Sequence, residues 1–127
     1  MLLQESDLIT LHVPLTETTK DMIPSSEIKL MKPSVILVNA SRGGVINEEP
    51  LFHALQNRLI FGAAVDAFAL EEPPTTKCYE KWMSLDNVVL TPHVGAGTIE
   101  NQSQTSVAVA QVVMDVLDGE AVTSCVA

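Results

Sequence analysis

The sequence predicts an α/β fold on a doubly wound parallel sheet, with about four parallel strands, crossover helices and a long C-terminal helix. Three observations carry this. Four short apolar runs each end in a polar residue able to do chemistry: Leu8-Ile9-Thr10-Leu11 at His12, Val35-Ile36-Leu37-Val38 at Asn39-Ala40-Ser41-Arg42, Ala63-Ala64-Val65 at Asp66, and Val88-Val89-Leu90 at Thr91-Pro92-His93. Their ends lie 24 to 30 residues apart, about the period of a strand, crossover and strand unit. Helix signals fall between the runs, and such alternation belongs to parallel α/β sheets. Ligands of open parallel sheets bind at the carboxyl ends of the strands, so these four ends predict one binding edge.

The elements follow in order. After the first strand come Pro14 and a polar segment, Thr16 to Lys20. A short helix is expected after Pro24, with Ser25 or Ser26 as its cap. It must end by Lys32, because Pro33 disfavours helical geometry in the residue before it. The Val-Ile-Leu-Val run is apolar on both faces, as suits a strand covered by helices on both sides. Asn47-Glu48-Glu49-Pro50 opens a second helix: Asn caps, the acids face the positive end of the dipole, and Pro fits the first turn. Leu51, Phe52, Leu55 and Leu59 give it an apolar spacing. Residues 69–86 hold Pro73 and Pro74 and no clear period, so an irregular crossover is expected there. The last helix is capped by Thr98, presents Val107, Ala110, Met114 and Leu117 as an apolar stripe, and is stopped by Gly119.

Composition narrows the function. The 127 residues are one domain or part of one, and 46% of them are hydrophobic, enough for a core. The net charge of −9, with seven Lys and Arg, argues against nucleic acid and membrane surfaces as partners. No run approaches a membrane span, and the N-terminus lacks the features of a signal peptide. Cys78 and Cys125 form no metal pattern, and no metal site is expected. A soluble, cytoplasmic protein with reduced thiols is the expectation.

Several residues could carry chemistry. Arg42, in a turn with Gly43 and Gly44, offers a planar fork that matches a carboxylate; the alternative is a surface arginine in a glycine turn. Asp66 could cap the next element or accept a hydrogen bond from an amide-bearing ligand. Glu71 and Glu72 read as a solvated loop unless they meet His93, whose imidazole a carboxylate would keep charged. His93 lies between a strand end and a helix cap, among the small residues Gly95, Ala96 and Gly97, which leave room for a ligand. His12 suits packing or a ligand-lining role, and His53 an ordinary helix face.

Taken together, the stretches SDLITLHVPLTETTKDMI, MKPSVILVNASRGGVINEEPLFHALQ, GAAVDAFALEEPP and NVVLTPHVGAGTIENQ resemble the D-isomer-specific 2-hydroxyacid dehydrogenases, in the latter half of their NAD-binding domain. The fold implied is a partial Rossmann-like sheet. The resemblance implies that Arg42 holds the substrate's carboxylate and keto oxygen and that His93 is the acid/base at the C2 oxygen. It implies a glutamate beside His93: spacing from Asp66 selects Glu71, adjacency to Pro73 selects Glu72, and the spacing is preferred. Asp66 matches the residue near the nicotinamide carboxamide. Val13 and Pro14 match the adenosine-side wall, and Ala40, Ser41, Gly95 and Ala96 match backbone contacts to the nicotinamide half. Arg42 and His93 also border the cofactor. The implied cofactor is NAD, with NADP open. The implied substrate is a small 2-hydroxy or 2-oxo acid such as glyoxylate, hydroxypyruvate or phosphoglycerate, and the implied assembly is a homodimer.

The family's GxGxxG turn and the acid about 20 residues beyond it, which grip the pyrophosphate and adenine ribose, are not in the sequence. Residues 1–127 are therefore expected to be an incomplete NAD-binding domain. The glycine-rich half and the substrate-binding domain would lie elsewhere, with 119–127 leading toward the latter. The first strand is expected to be an inner strand of the full sheet, which alone would expose an unpaired edge. The alternative is a non-catalytic, NAD-sensing corepressor-like or remnant protein of the same fold.

Overall fold

The computed structural model describes residues 2–69 and 76–120, with backbone alone at 76–79. The elements are α1 (Leu2–Glu5), β1 (Leu8–Leu11), α2 (Ser25–Ile28), β2 (Ile36–Asn39), α3 (Glu48–Gln56), β3 (Gly62–Val65), α4 (Thr76–Met83), β4 (Val88–Leu90) and α5 (Ile99–Leu117). All four apolar runs are strands, within a residue or so of the expected bounds. They pair in parallel in the order β1-β2-β3-β4. The chain divides into two compact units, Met1–Pro92 and His93–Ala127.

In the first unit the sheet is buried on one face. Ile9, Leu11, Leu37, Ala63 and Val65 join Ile28 of α2, Leu51, Phe52 and Leu55 of α3, and Trp82 of α4 in one apolar core. The alternate positions are open: Leu8 is 59% and Val89 63% exposed, and Ile36 is exposed as well. The expectation that β2 is covered on both sides is thus corrected within this unit. Side chains of a strand point alternately to two faces, and among the described residues of the unit the helices supply apolar partners to one of them. β1 pairs with β2 alone among the described strands and stands at the sheet edge, as expected for the chain by itself.

The helices test the local readings. α2 starts where expected, but Pro24 occupies its N-cap position and no serine side chain caps it. Asn47 stands at the N-cap of α3 without a side-chain cap bond. Leu51, Phe52 and Leu55 are buried, whereas Leu59 lies beyond the end of α3 and is 54% exposed. The expected irregular crossover contains α4. Among its described side chains Trp82 anchors it to the core: the indole is buried and meets Phe52 and Phe68 edge-on at 5.6 and 5.7 Å. Lys81 reinforces the contact by bonding Glu49 of α3 at 2.6 Å, which holds that carboxyl below the usual carboxylate range, with His53 adding to the effect. Trp82→Ala is expected to cost about 3–5 kcal/mol, from lost burial plus the cavity left behind. Denaturant unfolding of the variant against the parent checks this.

In the second unit, the Thr98 hydroxyl accepts the Asn101 N–H and caps α5, and Gly119 follows the helix with φ +77°. Both agree with the sequence. The apolar positions Val107, Met114 and Leu117 are exposed.

Candidate active site

Parallel pairing brings the strand ends to one edge. The last paired row runs Leu11, Asn39, Val65, Leu90. One position further along each strand come His12, Ala40, Asp66 and Thr91. The sequence anticipated this edge; the register now orders it.

The turn after β2 is built around Asn39, which is buried at 3% exposure. Its Oδ1 accepts the Ser41 N–H at 3.1 Å and the Ser41 hydroxyl at 2.8 Å. Its Nδ2 donates to the carbonyls of Arg42 at 3.0 Å and Ala67 at 3.4 Å. Ala40 is exposed at the edge, Ser41 is buried, and the Arg42 side chain is exposed. Arg42 Nη1 donates to the Ser41 carbonyl at 2.7 Å, which leaves most of the guanidinium donors for a ligand. Ser41 thus uses both its N–H and its carbonyl inside the turn. Gly43 passes so close to β3's exit that a Cβ there would lie 1.9 Å from the Phe68 carbonyl oxygen, and Gly44 takes φ +79°. Gly44 thus supplies a backbone angle open to glycine, and Gly43 a close approach to the chain's own backbone after β3.

At the next strand end, Asp66 donates its N–H to the Asn39 carbonyl at 2.9 Å. Its carboxylate accepts a hydrogen bond from the Thr91 hydroxyl. Sequence reasoning named Asn39 and Thr91 at the ends of their runs but gave neither a role. A signal for Asn39 existed, namely an amide ending a run of apolar residues bound for burial. Thr91 carried none, since its meeting with Asp66 depends on the β3–β4 register.

On the β1 side, Thr10 Oγ1 and His12 Nε2 lie 2.9 Å apart. Val13 packs against the core, and the Pro14 carbonyl accepts the Thr19 hydroxyl at 2.6 Å. His93 belongs to the second unit and adopts φ +53°, a left-handed conformation uncommon outside glycine. The loop after it closes when the Gly97 N–H donates to the Val94 carbonyl at 2.9 Å and Asn101 Nδ2 to the Ala96 carbonyl at 2.9 Å. A Cβ placed on Gly95 would meet nothing within 4 Å. Glu71 and Glu72 lie outside the described residues. No group of residues able to hold a metal occurs among the described residues, and none of their helices is long and apolar enough to cross a membrane.

Comparison with known proteins gives concordant findings. Residues 1–95 match the family described as D-isomer specific 2-hydroxyacid dehydrogenase, NAD binding domain. A hydroxypyruvate reductase from Thermotoga maritima is 47% identical over 106 residues, covering 84% of this chain and 34% of that protein. A glyoxylate reductase from Thermococcus litoralis is 45% identical over 119 residues, covering 94% of this chain and 35% of that protein. The NAD-complexed D-isomer specific 2-hydroxyacid dehydrogenase of Lactobacillus delbrueckii superposes with a TM-score of 0.83 at 31% identity, covering 98% of this chain and 41% of that one. The chain spans about a third of the length of the two reductases.

Proposed function

Because this chain belongs to the D-isomer-specific 2-hydroxyacid dehydrogenase family, in its NAD-binding domain, we propose that it carries the catalytic half of a site for hydride transfer between NAD, or NADP, and a small D-2-hydroxy acid. The observation that most supports this is the shared edge, where the Arg42 turn and Asp66 stand at neighbouring strand ends. An arginine there suits a substrate carboxylate, and an acceptor-only carboxylate suits an amide.

The residues fit the nicotinamide end of a dinucleotide. Asp66 would accept from the carboxamide, Ala40, Gly95 and Ala96 would offer backbone together with the second lone pair of the Ser41 carbonyl, and Val13 and Pro14 would wall the adenosine side. When bound, the cofactor supplies the hydride acceptor, or in its reduced form the donor, at nicotinamide C4. Arg42 holds the substrate's carboxylate by a bidentate pair and steadies its C2 oxygen. His93 gives a proton to that oxygen in reduction and takes it in oxidation. Glu71, with Glu72 as the alternative, keeps the imidazole protonated for the reductive direction.

Residues 1–127 then form the latter part of an NAD-binding domain, and 119–127 lead toward a substrate-binding domain. The complete subunit adds the glycine-rich turn that grips the pyrophosphate. It works as a cytoplasmic homodimer without nucleic-acid partners, in keeping with the acidic charge. Glyoxylate and hydroxypyruvate are the first substrates to try, given the names of the relatives, with phosphoglycerate in the oxidative direction. The complete subunit should consume NADH in the presence of one of the two oxo acids, followed by loss of NADH absorbance. Binding of NADH without turnover on any 2-oxo acid would instead leave a cofactor sensor.

A further inference from the structure

Asn39 makes four side-chain hydrogen bonds, which exhaust what a carboxamide offers these neighbours. The amide orientation is unambiguous: Oδ1 faces an N–H donor at Ser41, and Nδ2 faces two carbonyls that can only accept. The partners belong to two separate parts of the edge. Ser41 and Arg42 form the turn after β2. Ala67 follows β3, 28 positions away. The Asn39 backbone carbonyl also accepts the Asp66 N–H, so this one residue bonds Asp66 and Ala67 on one side and the Arg42 turn on the other. Burial strengthens these bonds and makes each expensive to leave unmade.

We propose that Asn39 is a positioning residue for the reaction: it holds the Arg42 backbone in fixed register with the Asp66–Ala67 segment. The substrate clamp and the nicotinamide contact are thereby set at one spacing. Asn39 touches neither ligand, and it acts through the Arg42 carbonyl. The proposal rests on the reading of Arg42 as the carboxylate clamp.

Asn39→Asp is the informative change. Oδ1 still accepts from Ser41, but the second oxygen now faces two carbonyls and repels them while ionised. Protonated, it donates to one of them again. In the complete subunit, KM for the oxo acid is expected to rise about tenfold at neutral pH, the worth of a buried hydrogen bond. KM for NADH should change far less. The penalty should shrink as pH falls and the introduced carboxyl takes up its proton, a dependence the parent lacks once its own profile is divided out. Asn39→Ala, checked for a native melting transition, should keep the penalty at every pH. Arg42→Ala is run beside them. If Arg42→Ala raises the oxo-acid KM and Asn39→Asp lowers only the melting temperature, Asn39 is structural and the proposal fails alone. If Arg42→Ala leaves that KM unmoved, the clamp reading fails and takes this proposal with it.

Discussion

Gly43→Ala is expected to destabilise the chain by about 3 kcal/mol, near the upper end for overpacking, and to displace Arg42 from the sheet edge. The reason is geometric. A Cβ on residue 43 would lie 1.9 Å from the Phe68 carbonyl oxygen, 2.0 Å from its carbon and 2.4 Å from the Ala69 nitrogen. All three are backbone atoms, so no side chain can swing aside. Either the Arg42–Gly44 turn or the segment leaving β3 must move. The turn is bound to Asn39, and that segment is bound to Asn39 through Ala67, so either movement strains the same amide. Gly44→Ala is the contrasting change. Space is available there, the nearest atoms being Leu15 methyls at 3.7 Å, and the cost is the φ of +79° alone, about 1 kcal/mol. Urea unfolding of both variants tests the difference, and equal losses would remove the close approach as the cause.

His93→Ala in the complete subunit is expected to lower kcat by about 10²–10⁴-fold, the usual contribution of a positioned acid/base, with NADH affinity little changed. The loop that carries His93 is tied by groups other than its ring: the Gly97 N–H to the Val94 carbonyl, Asn101 to the Ala96 carbonyl, and the Thr98 cap. Removing the imidazole leaves those bonds in place. The backbone keeps φ +53°, which the parent histidine already adopts, so the change adds little strain. A melt of the variant separates lost stability from lost chemistry. Retained turnover would take His93 out of its proposed role, whereas loss of kcat with a native melt and intact NADH binding supports it.

The strands were readable because each is a short apolar run followed by polar residues, and burial of one sheet face needs little more, even for the Gly-Ala-Ala-Val of β3. The cap of α5 was readable because a threonine before an apolar helix has few other uses. Helix α4 was not, since its eight residues follow Pro73 and Pro74 and are too short to display the spacing by which helices are recognised. Leu59 misled for the converse reason. It continues the spacing of α3 but falls after the helix has ended at Gln56.

The candidate site divides the same way. His12, Arg42 and Asp66 were visible as polar residues at the ends of apolar runs, and crossovers of this length suit parallel strands. Sequence by itself therefore pointed to these three groups at one edge of the first unit. Tertiary structure decided how they are held: Asn39 reaching Ala67, Thr91 reaching Asp66, Gly43 pressed against the Phe68 carbonyl. These contacts join residues about 25 or more positions apart. They depend on strand register and on the path of the chain after β3, both set by packing across the whole sheet, and no local pattern of residues encodes them.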